Sequence, residues 1–128
     1  MTVTPELIRK AHQDMAQAVI RTPSVYSPAI SSLTGADTWL KLENQQITSS
    51  FKPRGAFTRI SALTPDEAKR GVITMSAGNH AQAVAYHANR AGIPAVIVMP
   101  SQTPFAKISR TRAWGAEVIL EGRNLNEC

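Results

Sequence analysis

The sequence predicts an α/β fold, with a parallel sheet and flanking helices arranged as βαβ units. Three observations support this fold class: the second half alternates short apolar runs with helical patterns, the connections are short, and glycines follow the helical segments. The chain has 128 residues, which is one ordinary domain or part of a larger one. With 43% hydrophobic and 18% charged residues, it has the composition of a globular protein.

The first half of the chain carries mainly helix and turn signals. Thr4 caps well, Pro5 suits a first helical position, and apolar residues then recur at helical spacing. Pro23 and Pro28 favour extended backbone, and a polar and apolar alternation later predicts a short strand. The predicted elements are a helix over 5–20, an extended stretch over 23–28, a short helix over 28–33 ending near Gly35, a strand over 38–43 and a polar loop over 45–50.

The second half of the chain begins with two predicted helices and then alternates regularly. Each predicted strand is a short apolar run, and glycine marks the end of the helical segments that separate them. Such alternation places ligand sites at the carboxyl ends of strands and at the helix starts that follow. The predicted helices cover 53–63, 65–69, 79–91 and 104–114, and the predicted strands cover 72–75, 95–99 and 117–120.

Composition and charge disfavour several classes of function. The net charge is +5, but the basic residues are scattered apart from a group on the helix over 104–114, so a solvated surface is favoured over a nucleic-acid site. No apolar run approaches a membrane span of about 20 residues. The single cysteine, Cys128, permits no intrachain disulfide, and a cytoplasmic location is expected. His80 and His87 lack a third ligand, so no metal site is predicted.

The first segment that carries chemistry is 48–56, which reads TSSFKPRGA. Lys52 follows a polar loop and precedes Pro53 at a predicted helix start, so its side chain is expected to point into a cleft. Phe51 provides an apolar neighbour, as a lysine that forms a Schiff base requires. Spacing alone nevertheless favours an ordinary surface lysine before a helix.

The second segment is 76–81, which reads SAGNHA and joins a strand to a helix. Its small residues let a ligand approach the backbone, and amides at a helix N-terminus favour an anion. A plain turn capped by Asn79 or Ser76 is equally compatible with these residues. A dinucleotide site is disfavoured because Gly78 is the only glycine of the fingerprint, and a phosphate-binding P-loop sequence is absent.

Taken together, the two segments resemble the threonine/serine dehydratases among the fold-type-II pyridoxal-phosphate enzymes. The family pattern is T-G-S-F-K-x-R-G-A followed by S-A-G-N-H-A, and the likeness extends over nearly all of the chain. Cysteine synthases and serine racemases fit less well, because Pro53 follows the lysine and Ala77 occupies the second position of SAGNH. One departure from the dehydratase pattern is Ser49, where the family usually has glycine.

The resemblance implies a role for each matched residue and pyridoxal 5'-phosphate as cofactor. Lys52 would bind the cofactor covalently and act as base at the substrate α-carbon, Phe51 would pack against the cofactor ring, and Asn79 would bond its phenolic oxygen. The implied reaction removes the β-hydroxyl of L-threonine or L-serine as water and then releases ammonia, leaving a 2-oxo acid. The loop that grips the substrate carboxylate would comprise Ser76, Gly78, Asn79 and His80.

The resemblance also implies that the chain is truncated. Residues 1–47 would belong to the larger, cofactor domain, and residues 48–128 would form an incomplete smaller α/β domain. The family's glycine-rich phosphate loop and its pyridine-nitrogen partner lie further along, so the chain alone is expected to be inactive and the full-length protein to be a homo-oligomer. A non-catalytic remnant or interaction module is the alternative. The preferred hydroxy amino acid stays open, as does the choice between a biosynthetic role, such as isoleucine formation, and a catabolic one.

Overall fold

A computed structural model describes residues 2–128, and it divides the chain into a mainly helical first half and an α/β second half. A 3₁₀ turn over Glu43–Gln45 joins the two halves. The first half contains α1 (Pro5–Asp14), β1 (Ser24–Tyr26), α2 (Pro28–Thr34) and β2 (Trp39–Lys41). The second half contains α3 (Lys52–Ser61), α4 (Pro65–Arg70), β3 (Val72–Met75), α5 (Asn79–Arg90), β4 (Ala95–Met99), α6 (Phe105–Ala113) and β5 (Glu117–Leu120).

The strands form two separate sheets. β3, β4 and β5 are parallel neighbours in that order, with Thr74 opposite Ile97 and Ile97 opposite Val118. Because α5 and α6 each cross between adjacent parallel strands, they lie on the same face of the sheet and contact one another. β1 and β2 form an antiparallel pair outside this sheet. The predicted α/β class with βαβ units is therefore confirmed.

The core lies between the three-stranded sheet, α5 and α3. The α5 side chains that face the sheet and α3 are small, so the three layers approach closely. From the sheet, Ile97 and Met99 are completely buried against these helices. This packing holds the start of α3 and the start of α5 in a fixed relation, which matters because both predicted chemical segments lie there. The completely buried residues of α5 are Ala81, Ala83, Ala85 and Ala88.

Three predicted boundaries in and next to the first half were wrong. The first helix ends at Asp14 rather than near residue 20, and residues 15–18 form turns. Both backbone groups of Ile20 bond to the side-chain amide of Gln46 instead of continuing a helix. The strand predicted over 38–43 covers only Trp39–Lys41, since Glu43 belongs to the 3₁₀ turn. The third helix begins at Lys52, one residue earlier than predicted, with Phe51 at the N-cap position.

Candidate functional site

Lys52 is the first residue of α3 and lies at the edge of a cleft. Its side chain is partly buried, and its Nζ lies 5.2 Å from the centroid of the Phe51 ring. The Phe51 ring is itself 60% exposed, so one of its surfaces is available to a bound molecule. The Lys52 amide donates to the Ser50 hydroxyl at 3.4 Å, which fixes the chain direction just before the helix. The structure thus places an amine and an aromatic surface side by side.

The loop before Lys52 adopts a left-handed turn at Ser49, where φ is +57°. This is the only non-glycine residue with positive φ in residues 2–128. Its amide donates to the Gln46 carbonyl at 2.8 Å, which closes the turn. Serine therefore occupies a conformation that favours glycine, and the loop keeps its turn at a conformational cost of about 1–2 kcal/mol.

The segment 76–80 forms the turn from β3 into α5. Gly78 is the N-cap residue, and none of the described side chains caps this helix, so neither Asn79 nor Ser76 plays the predicted capping role. The Ser76 hydroxyl instead accepts a hydrogen bond from the Gly78 amide at 3.3 Å. A Cβ added to Gly78 would meet no atom within 4 Å, so this part of the backbone borders open space. Uncapped amides of the first turn are a suitable place for an anion.

Lys52 and His80 line the same cleft, which has a volume of about 520 Å³. Partial burial lowers the pKa of His80, and the positive charge of Lys52 lowers it further. Phe51 lines this cleft as well. Ser76, Gly78 and Asn79 do not line it, but they stand on the loop that carries His80. An amine, an aromatic ring and an uncapped helix start fit the aldehyde, ring and anionic groups of pyridoxal 5'-phosphate and its substrates.

An ion pair beside Lys52 was not predicted from the sequence. Arg54 donates from Nε to Glu43 Oε2 at 2.9 Å and from Nη2 to Glu43 Oε1 at 2.8 Å, and the Thr22 hydroxyl donates to Oε1 at 2.5 Å. The hydrogen bonds from Arg54 lower the pKa of Glu43 to about 2, although burial opposes the shift. The same pairing raises the pKa of Arg54. A spacing of 11 residues outside a regular element gives no periodic signal, so only the tertiary structure reveals it.

His80 and His87 do not share a surface. His80 is exposed at the cleft, whereas His87 is buried between α5 and α3. The His87 ring packs edge-on against two aromatic rings, with centroid distances of 5.5 Å to Phe57 and 4.8 Å to Tyr86. Burial, helped by the charge of Arg90, lowers the pKa of His87 to about 4, so the imidazole is neutral in the fold. Across residues 2–128 no group of three or more His, Cys, Asp or Glu side chains is placed to hold a metal ion.

The structure thus presents a lysine and an aromatic ring at one cleft, with an uncapped helix start on the neighbouring loop, as a cofactor-dependent enzyme requires. The family model for pyridoxal-phosphate dependent enzymes matches residues 15–128, and the chain belongs to this family. The family resemblance and the cofactor class expected from the sequence are thereby confirmed.

Individual relatives agree with this assignment. The L-threonine ammonia-lyase of Thermotoga maritima is 50% identical over 125 residues, which is 98% of this chain and 31% of that protein. Serine racemase from Dictyostelium discoideum superimposes with a TM-score of 0.90 at 34% identity, covering 99% of this chain and 41% of the racemase. The processed form of threonine deaminase isoform 2 from Solanum lycopersicum superimposes with a TM-score of 0.83 at 36% identity. The match covers 99% of this chain and 36% of the deaminase. The chain thus spans about a third of the length of these proteins.

The structure also bears on membrane association. Within residues 2–128, none of the helices combines the length and the apolar character needed to cross a bilayer.

Proposed function

We propose that this chain supplies part of the active site of a pyridoxal-phosphate dependent ammonia-lyase acting on L-threonine or L-serine. The observation that carries the proposal is the meeting of Lys52 and His80 in one cleft, beside the exposed ring of Phe51. The names of the relatives from Thermotoga maritima and Solanum lycopersicum point to threonine as substrate. The reaction would remove the β-hydroxyl as water and release ammonia, leaving a 2-oxo acid.

In this proposal each site residue has a task set by its position. The Lys52 amine holds the cofactor and, once free, accepts the proton from the substrate α-carbon. Phe51 offers the face of its ring to the cofactor ring and excludes water from one side. Asn79 donates a hydrogen bond to the cofactor's phenolic oxygen. The cofactor, when bound, supplies the electron sink that makes loss of the α-proton possible.

The loop 76–80 binds the substrate carboxylate in this proposal. Its uncapped amides at the start of α5 are oriented for an anion, and the open space around Gly78 lets a carboxylate reach the backbone. Ser76 and His80 stand on either side of that glycine, and partial burial, with a smaller contribution from the Lys52 charge, lowers the pKa of His80. A neutral imidazole beside the carboxylate can donate a hydrogen bond to it from one ring N–H.

A chimera tests the proposal. Residues 1–128 replace the aligned segment of the Thermotoga maritima relative, and formation of 2-oxobutanoate from L-threonine is measured. Lys52→Ala should abolish turnover, whereas Lys69→Ala, an exposed lysine on α4, should leave it intact. Retained turnover in Lys52→Ala would show that another group carries the cofactor. The 128-residue chain assayed alone should be inactive, because a cofactor site needs walls on both sides to exclude water.

Racemisation of serine is the second candidate, and it is favoured by the similarity to the Dictyostelium discoideum racemase. Racemisation needs an acid on the face opposite the lysine, and Ala77, which packs against the core, has a methyl group that cannot deliver a proton. Chiral analysis of L-serine incubated with the chimera distinguishes the two reactions. Pyruvate without D-serine supports the lyase, and rapid formation of D-serine would overturn it. A chimera that binds no cofactor and turns over neither substrate would favour the non-catalytic alternative.

A further inference from the structure

We propose that the Glu43–Arg54 ion pair positions Lys52 by closing the base of the loop that carries it, an inference that rests on the proposed role of Lys52 as the cofactor lysine. Arg54 lies two residues beyond Lys52 in the first turn of α3, and Glu43 lies at the start of the loop. The two hydrogen bonds between them therefore join the two ends of the segment 43–54. Glu43 and Arg54 are positioning residues in this account, and Lys52 is the group they act through.

The geometry of the Glu43–Arg54 pair fixes the orientation of the guanidinium as well as its distance from the carboxylate. A bidentate arginine–carboxylate contact uses two parallel N–H donors, so the guanidinium cannot rotate without losing one of them. The remaining capacity of the carboxylate is filled by the Thr22 hydroxyl, and Thr22 is almost completely buried. Lys41 donates to the Thr22 carbonyl, which holds this residue from the other side. The start of α3 is thus tied through Glu43 to the β1–β2 region of the first half.

The loop between the paired residues is also held by its own contacts, since Gln46, Thr48 and Ser50 are buried. Gln46, which is buried, bonds both backbone groups of Ile20 and fixes the middle of the loop to the end of the α1 region. Beyond it the chain passes through the strained turn at Ser49 and reaches Lys52. A strained turn persists only where its surroundings determine it, and the ion pair lies at the point where the chain leaves that turn. Releasing Arg54 is therefore expected to let the turn relax and Lys52 move.

The burial of the pair separates it from the surface ion pairs of the same chain. The Arg54 and Glu43 side chains are 27% and 17% exposed, whereas those of Arg9 and Glu6 on α1 are 72% and 75% exposed. Exposed pairs contribute little because solvent screens them, but a bidentate pair partly removed from water is a stronger constraint. The exposed Arg9–Glu6 pair therefore provides a matched control within the same chain.

The test measures how selectively pyridoxal 5'-phosphate reacts with Lys52. The chain is tested within the chimera described above. The chimera is incubated with the cofactor and reduced with borohydride, and the label on Lys52 is compared by peptide mass spectrometry with that on the exposed Lys69 and Lys107. Glu43→Gln and Arg54→Gln should each lower the Lys52 to Lys69 ratio about tenfold, which is less than the roughly hundredfold loss that a 1 Å misplacement of a reacting group can cause. The double variant should fall no further than either single one, since the pair acts as a unit.

Further variants separate positioning from general stability. Arg54→Lys keeps the charge but not the two parallel donors, so it should not restore the ratio. Arg9→Gln breaks only the exposed pair on α1, and Gly115→Ala destabilises the fold far from Lys52, so both should leave the ratio unchanged. Equal labelling ratios in the wild-type chain and in folded Glu43→Gln and Arg54→Gln variants would overturn the proposal. If those variants fail to fold, Thr22→Val, which removes one hydrogen bond to Glu43, should still lower the ratio, and an unchanged ratio there would overturn the proposal too.

A second measurement keeps this inference separate from the proposed function. Hydrogen exchange of the amides of residues 47–52 reports the order of the loop without any cofactor. Faster exchange in Glu43→Gln and Arg54→Gln, but not in Arg9→Gln, is expected, and unchanged exchange contradicts the closing role of the pair. If the chimera with the unsubstituted chain labels Lys52 no better than Lys69, the role of Lys52 in the proposed function fails, whatever the exchange rates show.

Discussion

Replacing Ser49 by glycine should stabilise the chain, although most substitutions destabilise a protein. A non-glycine residue in the left-handed region costs about 1–2 kcal/mol, and Ser49 has φ +57° with its side chain exposed. Glycine removes that cost, but it also raises the entropy of the unfolded chain, which lowers the free energy of unfolding by about 0.5–1 kcal/mol. The net gain is about 0.5–1 kcal/mol, or roughly 2–4 °C in Tm for a chain of this size.

Thermal unfolding followed by circular dichroism measures this difference. Ser49→Ala is the first control, because it removes the hydroxyl and keeps the strained backbone, so its Tm should not rise. Ser109→Gly is the second, since Ser109 is exposed within α6 and glycine there should lower stability by about 0.5 kcal/mol. A Tm for Ser49→Gly equal to or below that of the wild-type chain would refute the reasoning, because the left-handed turn would then carry no cost for serine.

Two other predictions concern residues of α5 and the turn after α6. The pKa of His87 falls from its ordinary 6.5 to about 4, so its contribution to stability is complete above pH 6.5 and is lost as the pH falls toward 4. His87→Phe should therefore flatten the decline of Tm between pH 6.5 and 4. An unchanged slope would contradict the conclusion that His87 is buried as a neutral imidazole. Gly115 has φ +87°, and a Cβ there would lie 1.9 Å from Asn89 Nδ2, which donates to the Trp114 carbonyl. Gly115→Ala should therefore lower the free energy of unfolding, measured by urea titration, by roughly 1–3 kcal/mol. A change near zero would contradict this prediction.

The sequence predicted the second half of the fold well because local signals there agree with the tertiary structure. β3 and β5 cover the residues predicted for them, and α5 ends one residue before its predicted end at Ala91. Short apolar strands, helical periodicity and glycine at left-handed positions each act within a few residues, so the local sequence pattern reveals them. Gly92 and Gly115 both have positive φ just after a helix, as predicted helix ends require.

The features that the sequence did not reveal depend on partners distant along the chain. Ile20 lies within the range predicted for the first helix, but its backbone bonds to the Gln46 side chain, 26 residues away. Glu43 and Arg54 carry no local pattern that marks them as partners. His87 has the spacing of a helix-face residue, and only its burial under α3 shows that it is a packing residue. Periodicity says which face a residue occupies and not which distant group meets it.

The two chemical segments of the candidate site are brought together by residues that carry no chemistry. α3 begins at Lys52 and α5 begins next to His80, so the distance between the two helices sets how closely the amine and the carboxylate loop approach. Four alanines of α5 are completely buried at this packing, and Ala56 of α3 is nearly so. Larger side chains at these positions would separate the helices by overpacking, at a cost of about 1–3 kcal/mol, and would move Lys52 away from His80. The alanines of the motif segments therefore act on the site through the spacing of α3 and α5, while Glu43 and Arg54 set the direction in which Lys52 enters it.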